Sequence, residues 1–330
     1  MKRARITGLG HYVPEKVVTN AHLETLMDTS SEWIVERTGI QERRFCEGDM
    51  GTSDLGVYAS EKALEMAGVS AEEIEFVIFA TISSDYFFPG SAVLVQEKLG
   101  LKNVGAFDLR AACSGFIYGL SVADQFIRAG MYENILLIGG EIQSAAIKLD
   151  SEHRDMAVLF GDGAGAVVLQ ASNSDSGLLS THLHADGKYA KELWIPAPGS
   201  RYKPWLSHKV IDKGLHLPSM NGREVFRHAV KRFPEVIREA LDHNNLTMDD
   251  VKLIIPHQAN YRISQAVAVR LGVEMDRVYS NIHKYGNTTA ASIPIAMSEA
   301  FTEGRFSEGD ILIAAAFGSG FTWASAAIRW

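Results

Sequence analysis

Glu61-Lys-Ala-Leu-Glu-Met-Ala-Gly-Val-Ser-Ala-Glu-Glu-Ile-Glu-Phe-Val-Ile-Phe-Ala80 lies over Arg238-Glu-Ala-Leu-Asp-His-Asn-Asn-Leu-Thr-Met-Asp-Asp-Val-Lys-Leu-Ile-Ile-Pro-His257 at an offset of 177 residues. Ala63/Ala240 and Leu64/Leu241 are identical, Ser70/Thr247 are matched helix caps, and the acid pairs Glu72-Glu73 and Asp249-Asp250 coincide. Each copy reads as a helix, a capped helical turn and a short, continuously apolar strand. Such a strand is buried on both faces, as in a parallel sheet covered by helices.

The match extends outward with small gaps. Leu99-Gly100 and Leu271-Gly272 each end a helix. Asn134-Ile-Leu-Leu-Ile-Gly-Gly140 matches Asp310-Ile-Leu-Ile-Ala-Ala-Ala316, and each is followed by a Gly-rich turn and a second apolar strand, Gly161 to Leu169 and Gly318 to Ile328. An internal repeat fixes architecture. Two copies of a mixed sheet with helices predict a layered α/β/α/β/α body, with halves at residues 1–175 and 176–330. Residues 196–222, rich in Pro and Gly and carrying Trp205 and Leu206, break the symmetry and predict a long irregular connection.

Composition narrows the function. A net charge of −8 disfavours nucleic acid as a partner. Cys46 and Cys113 are too few for a disulfide framework. The basic start lacks the apolar run of a signal peptide, and Ile311 to Ile328 is broken at Gly318-Ser-Gly320, so it reads as two strands and not as a membrane span. A reduced, cytoplasmic enzyme is expected. His182 and His184 are i, i+2 neighbours in a strand-like stretch and read as structural, so no metal is expected.

Three positions carry chemistry. Cys113 follows a strand-like run and precedes helical spacing at Phe116, Leu120 and Ala123. That puts it near a helix N-terminus, whose dipole favours a thiolate. His257 ends a buried strand, where ligands of open α/β sheets bind. Asn287 lies in Gly-Asn-Thr-Thr before small residues that begin a helix. A buried inert cysteine, a strand-capping histidine and a turn asparagine are the plain alternatives. Cys, His and Asn in this order also occur in papain-like hydrolases, but their cysteine signature is absent and a duplicated parallel α/β chain is the wrong architecture. The Gly161 to Gly165 run precedes a strand and lacks a following Lys-Ser/Thr, so it reads as a tight turn and not a phosphate loop.

With Thr29 to Ile40, Ala112-Cys-Ser-Gly, Phe160 to Ala166, His182 to Gly187, Pro256-His-Gln-Ala-Asn260, Gly286-Asn-Thr and Phe317 to Trp323, the chain resembles β-ketoacyl-acyl carrier protein synthase III. The resemblance covers essentially the whole chain and implies the thiolase-like duplicated fold. It also implies a two-stage acyltransferase reaction in which Cys113 takes an acyl group from acyl-CoA. An enolate from malonyl-acyl carrier protein then attacks that group. His257 and Asn287 would stabilise the enolate, and the backbone N–H groups of Cys113 and Ser319 would form a second oxyanion site. Coenzyme A thioesters would be substrates, with no resident cofactor.

By the same resemblance Trp33 and Arg37 would flank the CoA adenine, with Arg154 and Arg223 near its phosphates. Asn260 would orient the pantetheine, and Thr29, Gly222 and Phe226 would complete the CoA and substrate set. Phe88 would close the acyl pocket of the neighbouring subunit in a homodimer, and Arg227, Arg262 and Arg270 would dock the acidic carrier protein. The departures are Ser319 where many relatives have Gly, Ala324 where Gly often follows Trp, Arg223 where some have Asn, and the long 196–222 segment. They leave an in-class alternative: a divergent condensing enzyme using medium or long acyl chains for alkylquinolone, pyrone or head-to-head products. A non-catalytic partner subunit would lack the nucleophile, and a biosynthetic thiolase would carry a second cysteine after residue 113.

Overall fold

The computed structural model describes residues 2–330. The N-terminal strands are β1 (Arg3–Tyr12), β2 (Val17–Thr19), β3 (Glu42–Arg44), β4 (Phe76–Ala80), β5 (Gly105–Leu109), β6 (Asn134–Glu141) and β7 (Gly163–Ser172). After them come β8 (Gly177–Ala185), β9 (Leu193–Trp194), β10 (Ser219–Met220), β11 (Val251–Pro256), β12 (Ile311–Gly318) and β13 (Thr322–Arg329). One sheet runs β1-β7-β6-β4-β5 and the other β11-β12-β13-β8.

The repeat is topological as well as sequential. In the first sheet β1/β7 and β7/β6 are antiparallel while β6/β4 and β4/β5 are parallel. In the second, β8/β13 and β13/β12 are antiparallel and β12/β11 parallel. The counterpart of β5 has shrunk to one parallel bridge between Ile254 and Val278. Both capping boxes form: Glu73 receives the Ser70 N–H, and Asp250 the Thr247 N–H.

Three apolar clusters separate the five layers. Leu55, Ala59 and Ala63 of the helix Thr52–Ala67 pack on one face of the first sheet. Helices Gly115–Arg128 and Ser292–Thr302 share a central core with both sheets. Helices Gly222–His243 and Tyr261–Leu271 cover the far face of the second sheet. Burial on both faces explains why β4, β6, β11 and β12 lack polar alternation.

The 196–222 segment is more ordered than its composition suggests. It contains the helix His208–Asp212, and β9 pairs with β10 at its two ends. Pairing depends on backbone groups that meet only after folding, so Pro and Gly content underestimated it. No helix among the described residues is long and apolar enough to cross a membrane.

Candidate active site

Each half builds an elbow before its central helix. Ala112 (φ 45°) opens a helical turn through Ser114, then the helix Gly115–Arg128. Thr289 (φ 49°) opens a turn through Ala291, then the helix Ser292–Thr302. The two elbows keep the 177-residue offset. A positive φ at a residue with a side chain is uncommon and costs backbone strain, which the close packing of the two elbows must hold. Cys113 sits on the first elbow, while Asn287 lies just before the second. His257 enters from the end of β11.

All three line one cavity of about 600 Å³. Trp33, Arg37, Gly222, Arg223, Phe226, Asn260 and Arg262 line it too. Cys113 is buried, and burial together with the charge of Glu141 pushes its thiol up to about 12. Hydrogen bonding from the backbone N–H groups of Cys113 and Ser319 opposes that rise.

His257 is buried and stays neutral, its pKa held down to about 3 by desolvation. Its Nδ1 lies 2.6 Å from Ser292 Oγ. That oxygen accepts the Gln258 N–H at 3.3 Å and can give its own proton to Nδ1. With Ser292 donating, the ring proton lies on Nε2, which is buried without a partner. Asn287 Oδ1 accepts the Thr289 N–H at 2.9 Å, which leaves its NH₂ available. The cavity therefore presents a thiol and two neutral side-chain donors, a set suited to a developing oxyanion.

Other expected positions fall around this centre. The Arg154 guanidinium lies 4.4 Å from the Trp33 ring centroid and Arg37 lies 5.8 Å away, so Arg154 is the nearer cation to the indole. Arg154 also donates to the Asp28 carbonyl at 2.7 Å. Thr29 Oγ1 is buried without a partner. Asn260 caps its helix through the Arg262 N–H and donates to the Arg37 carbonyl at 3.0 Å. Phe88 stands 78% exposed on the loop after β4, beside Tyr86 and Phe87. Arg227 pairs with Glu224, and Arg270 donates to the Val230 carbonyl at 2.7 Å. The positive φ of the last turn falls on Gly320 (φ 135°) and not on Ser319.

Sequence reading missed Ser292, Thr322, Leu193 and Glu141. Ser292 sits 35 residues from His257 in the chain, and only the fold brings them together. Glu141 is fully buried at the end of β6, where it accepts from Ile82 N–H and from the hydroxyls of Thr81 and Ser83. Burial raises its carboxyl to about 7. The signal available was a lone acid closing an apolar strand.

A duplicated five-layer body with a cysteine elbow facing a histidine and an asparagine defines the class of thiolase-like condensing enzymes. Family models for 3-oxoacyl-[acyl-carrier-protein] synthase III match residues 107–187, and for its C-terminal part residues 241–330. The β-ketoacyl-[acyl-carrier-protein] synthase III of Caldanaerobacter subterraneus subsp. tengcongensis is 48% identical, over 99% of this chain and 98% of that one. The solved 3-oxoacyl-[acyl-carrier-protein] synthase III of Aquifex aeolicus VF5 superposes with a TM-score of 0.91 at 42% identity, covering 99% of this chain and 100% of that chain. Xanthomonas OleA, at 22% identity and a TM-score of 0.87, shares the fold. The chain belongs to the β-ketoacyl-[acyl-carrier-protein] synthase III family.

Proposed function

We propose that this chain condenses an acyl-CoA starter with malonyl-acyl carrier protein, releasing CO₂ and giving a 3-oxoacyl-acyl carrier protein, the first elongation of fatty-acid synthesis. The supporting observation is the convergence of Cys113, His257 and Asn287 on one cavity, with His257 Nε2 unpartnered. Cys113 loses its proton and attacks the thioester carbonyl, and CoA leaves with a proton while the acyl group stays on sulfur. Malonyl thioester then loses CO₂. The enolate oxygen is met by His257 Nε2–H and the Asn287 NH₂. Its carbon attacks the acyl group, and the tetrahedral oxygen is met by the N–H groups of Cys113 and Ser319 before the thiolate departs.

In this reading residues 1–175 supply the nucleophile and residues 176–330 the side-chain donors. CoA thioesters are substrates and no resident cofactor is required. Trp33, Arg37 and Arg154 form the adenine end of the CoA site, with Thr29, Gly222, Arg223, Phe226 and Asn260 along the rest. Arg262, at the cavity wall, docks the carrier protein with Arg227 and Arg270. The enzyme is cytoplasmic and forms a homodimer, a state supported by the exposed Phe88, which closes the partner's acyl pocket.

Intact-mass measurement after brief exposure to acyl-CoAs from acetyl to dodecanoyl, with Cys113→Ala as control, tests the reading. Short-chain loading that vanishes in the variant is expected. Preference for medium or long chains would move the enzyme to the divergent branch, and no adduct from any of them would overturn the acyl-enzyme route.

A further inference from the structure

The turn Gly318-Ser319-Gly320 must deliver a fixed N–H from loose backbone. A Cβ on Gly318 would lie 2.6 Å from Cys113 Cβ and 3.1 Å from its sulfur, and Gly320 adopts φ 135°. Both glycines are therefore required, and both leave the chain conformationally free. Strand pairing of Gly318 with Thr322 and the Phe321–Asp186 backbone bonds hold the ends of the turn, and two side chains fasten its middle. The Ser319 hydroxyl donates to the Leu193 carbonyl at 2.5 Å. The Ser319 carbonyl lies 3.1 Å from Thr322 Oγ1, which is also 3.1 Å from Ser114 Oγ and 3.4 Å from the Ala111 carbonyl.

The two anchors lead to different places. Thr322 ties the turn to the Cys113 elbow. Ser319 ties it to β9, whose pairing with β10 sets Leu193 opposite Met220 and closes the base of residues 195–218. Leu193 and Met220 both line the cavity. The Ser319 N–H, on the peptide just before both anchors, is one of the two backbone N–H groups whose hydrogen bonding favours the Cys113 thiolate.

We propose that the Ser319 hydroxyl is a positioning group for acyl transfer, holding its own backbone N–H in place by anchoring the turn to the β9–β10 clasp. The proposal rests on the reading that Cys113 forms the acyl-enzyme. An oxyanion donor acts only where its distance to the developing charge is right, and a site loosened by about 1 Å is present but ineffective. Removing the hydroxyl keeps the N–H and takes away what holds it. The rate of acylation should therefore fall while CoA binding, centred on Trp33 at the other end of the cavity, stays as it is.

The test is rapid-quench intact-mass measurement of acetyl loading across a range of acetyl-CoA concentrations, for wild type, Ser319→Ala, Ser319→Gly, Ser319→Thr and Cys113→Ala. The Ala and Gly variants should load roughly 10-fold more slowly, short of the hundredfold or more for outright loss of an oxyanion donor. Their half-saturating concentration should be unchanged, and Ser319→Thr, which keeps a hydroxyl, should recover most of the rate. Thr322→Val, which cuts the other anchor, should also lower the rate and spare saturation. Wild-type loading rates in Ser319→Ala, a change confined to saturation, or equal losses in the Thr and Ala variants would each overturn the proposal. Absence of any Cys113 adduct in wild type would instead overturn the acyl-enzyme reading itself.

Discussion

At Cys113 two opposing influences meet. Burial and the nearby Glu141 charge disfavour the thiolate, while two backbone N–H groups favour it. With the thiol pushed up to about 12, the sulfur is mostly protonated in the empty site. His257 is set the other way: burial makes it a weak base, suited to donating a hydrogen bond and not to abstracting a proton. His257→Ala should slow condensation roughly 10²–10³-fold by removing an enolate donor, yet leave acetyl loading of Cys113 nearly intact. Ser292→Ala, which frees the ring to exchange tautomers, should slow condensation roughly tenfold on the same logic. Separate loading and condensation assays decide this, and equal loss in both steps would reject the division of labour. The sequence pointed to His257 itself but gave no sign of Ser292, because a 2.6 Å contact across 35 residues is a product of folding.

At the level of elements, the two elbows are held where strand and helix nearly touch. A Cβ on Gly139 of β6 would lie 2.4 Å from the Ala290 carbonyl oxygen, so the first sheet abuts the second elbow through backbone. Gly139→Ala should destabilise the protein by about 1–3 kcal/mol, since backbone cannot yield as a flexible side chain does. Gly187→Ala, with nothing within 4 Å of its added Cβ, should be close to neutral. Chemical denaturation of both variants checks the contrast, and similar values would refute it. The repeat made the strands and the two core helices legible beforehand. It did not reveal the positive φ at Ala112 and Thr289, because nothing in Ala or Thr announces left-handed backbone.

For the whole molecule, stability should depend on pH through its buried histidines. His11, His182, His228, His257 and His283 all have lowered pKa values, with burial the leading cause. The unfolded chain takes up protons on these rings below about 6.5, and the folded chain takes them up only at lower pH. Stability present above that value is therefore lost as pH falls, with His257 protonating in the folded state only at about 3. Glu141, raised to about 7, and Asp162, also raised by burial, act in the opposite sense and offset part of the loss. Five rings against two carboxyls leave a net loss, so the thermal midpoint should be lower at pH 5 than at pH 7. Calorimetry at the two values settles it, and an equal or higher midpoint at pH 5 would reject the account.

The sequence by itself determined the duplicated architecture, the layering and the three polar side chains at strand and elbow ends. Those depend on apolar periodicity and on residue type, which are local properties. Tertiary structure alone decided which groups complete the site. The Ser292–His257 contact, the tie of Thr322 to Ser114, the Leu193 anchor of the Ser319 turn and the approach of Arg154 to Trp33 all join residues far apart in the chain. Their geometry follows from how the two halves pack, and no local pattern encodes it.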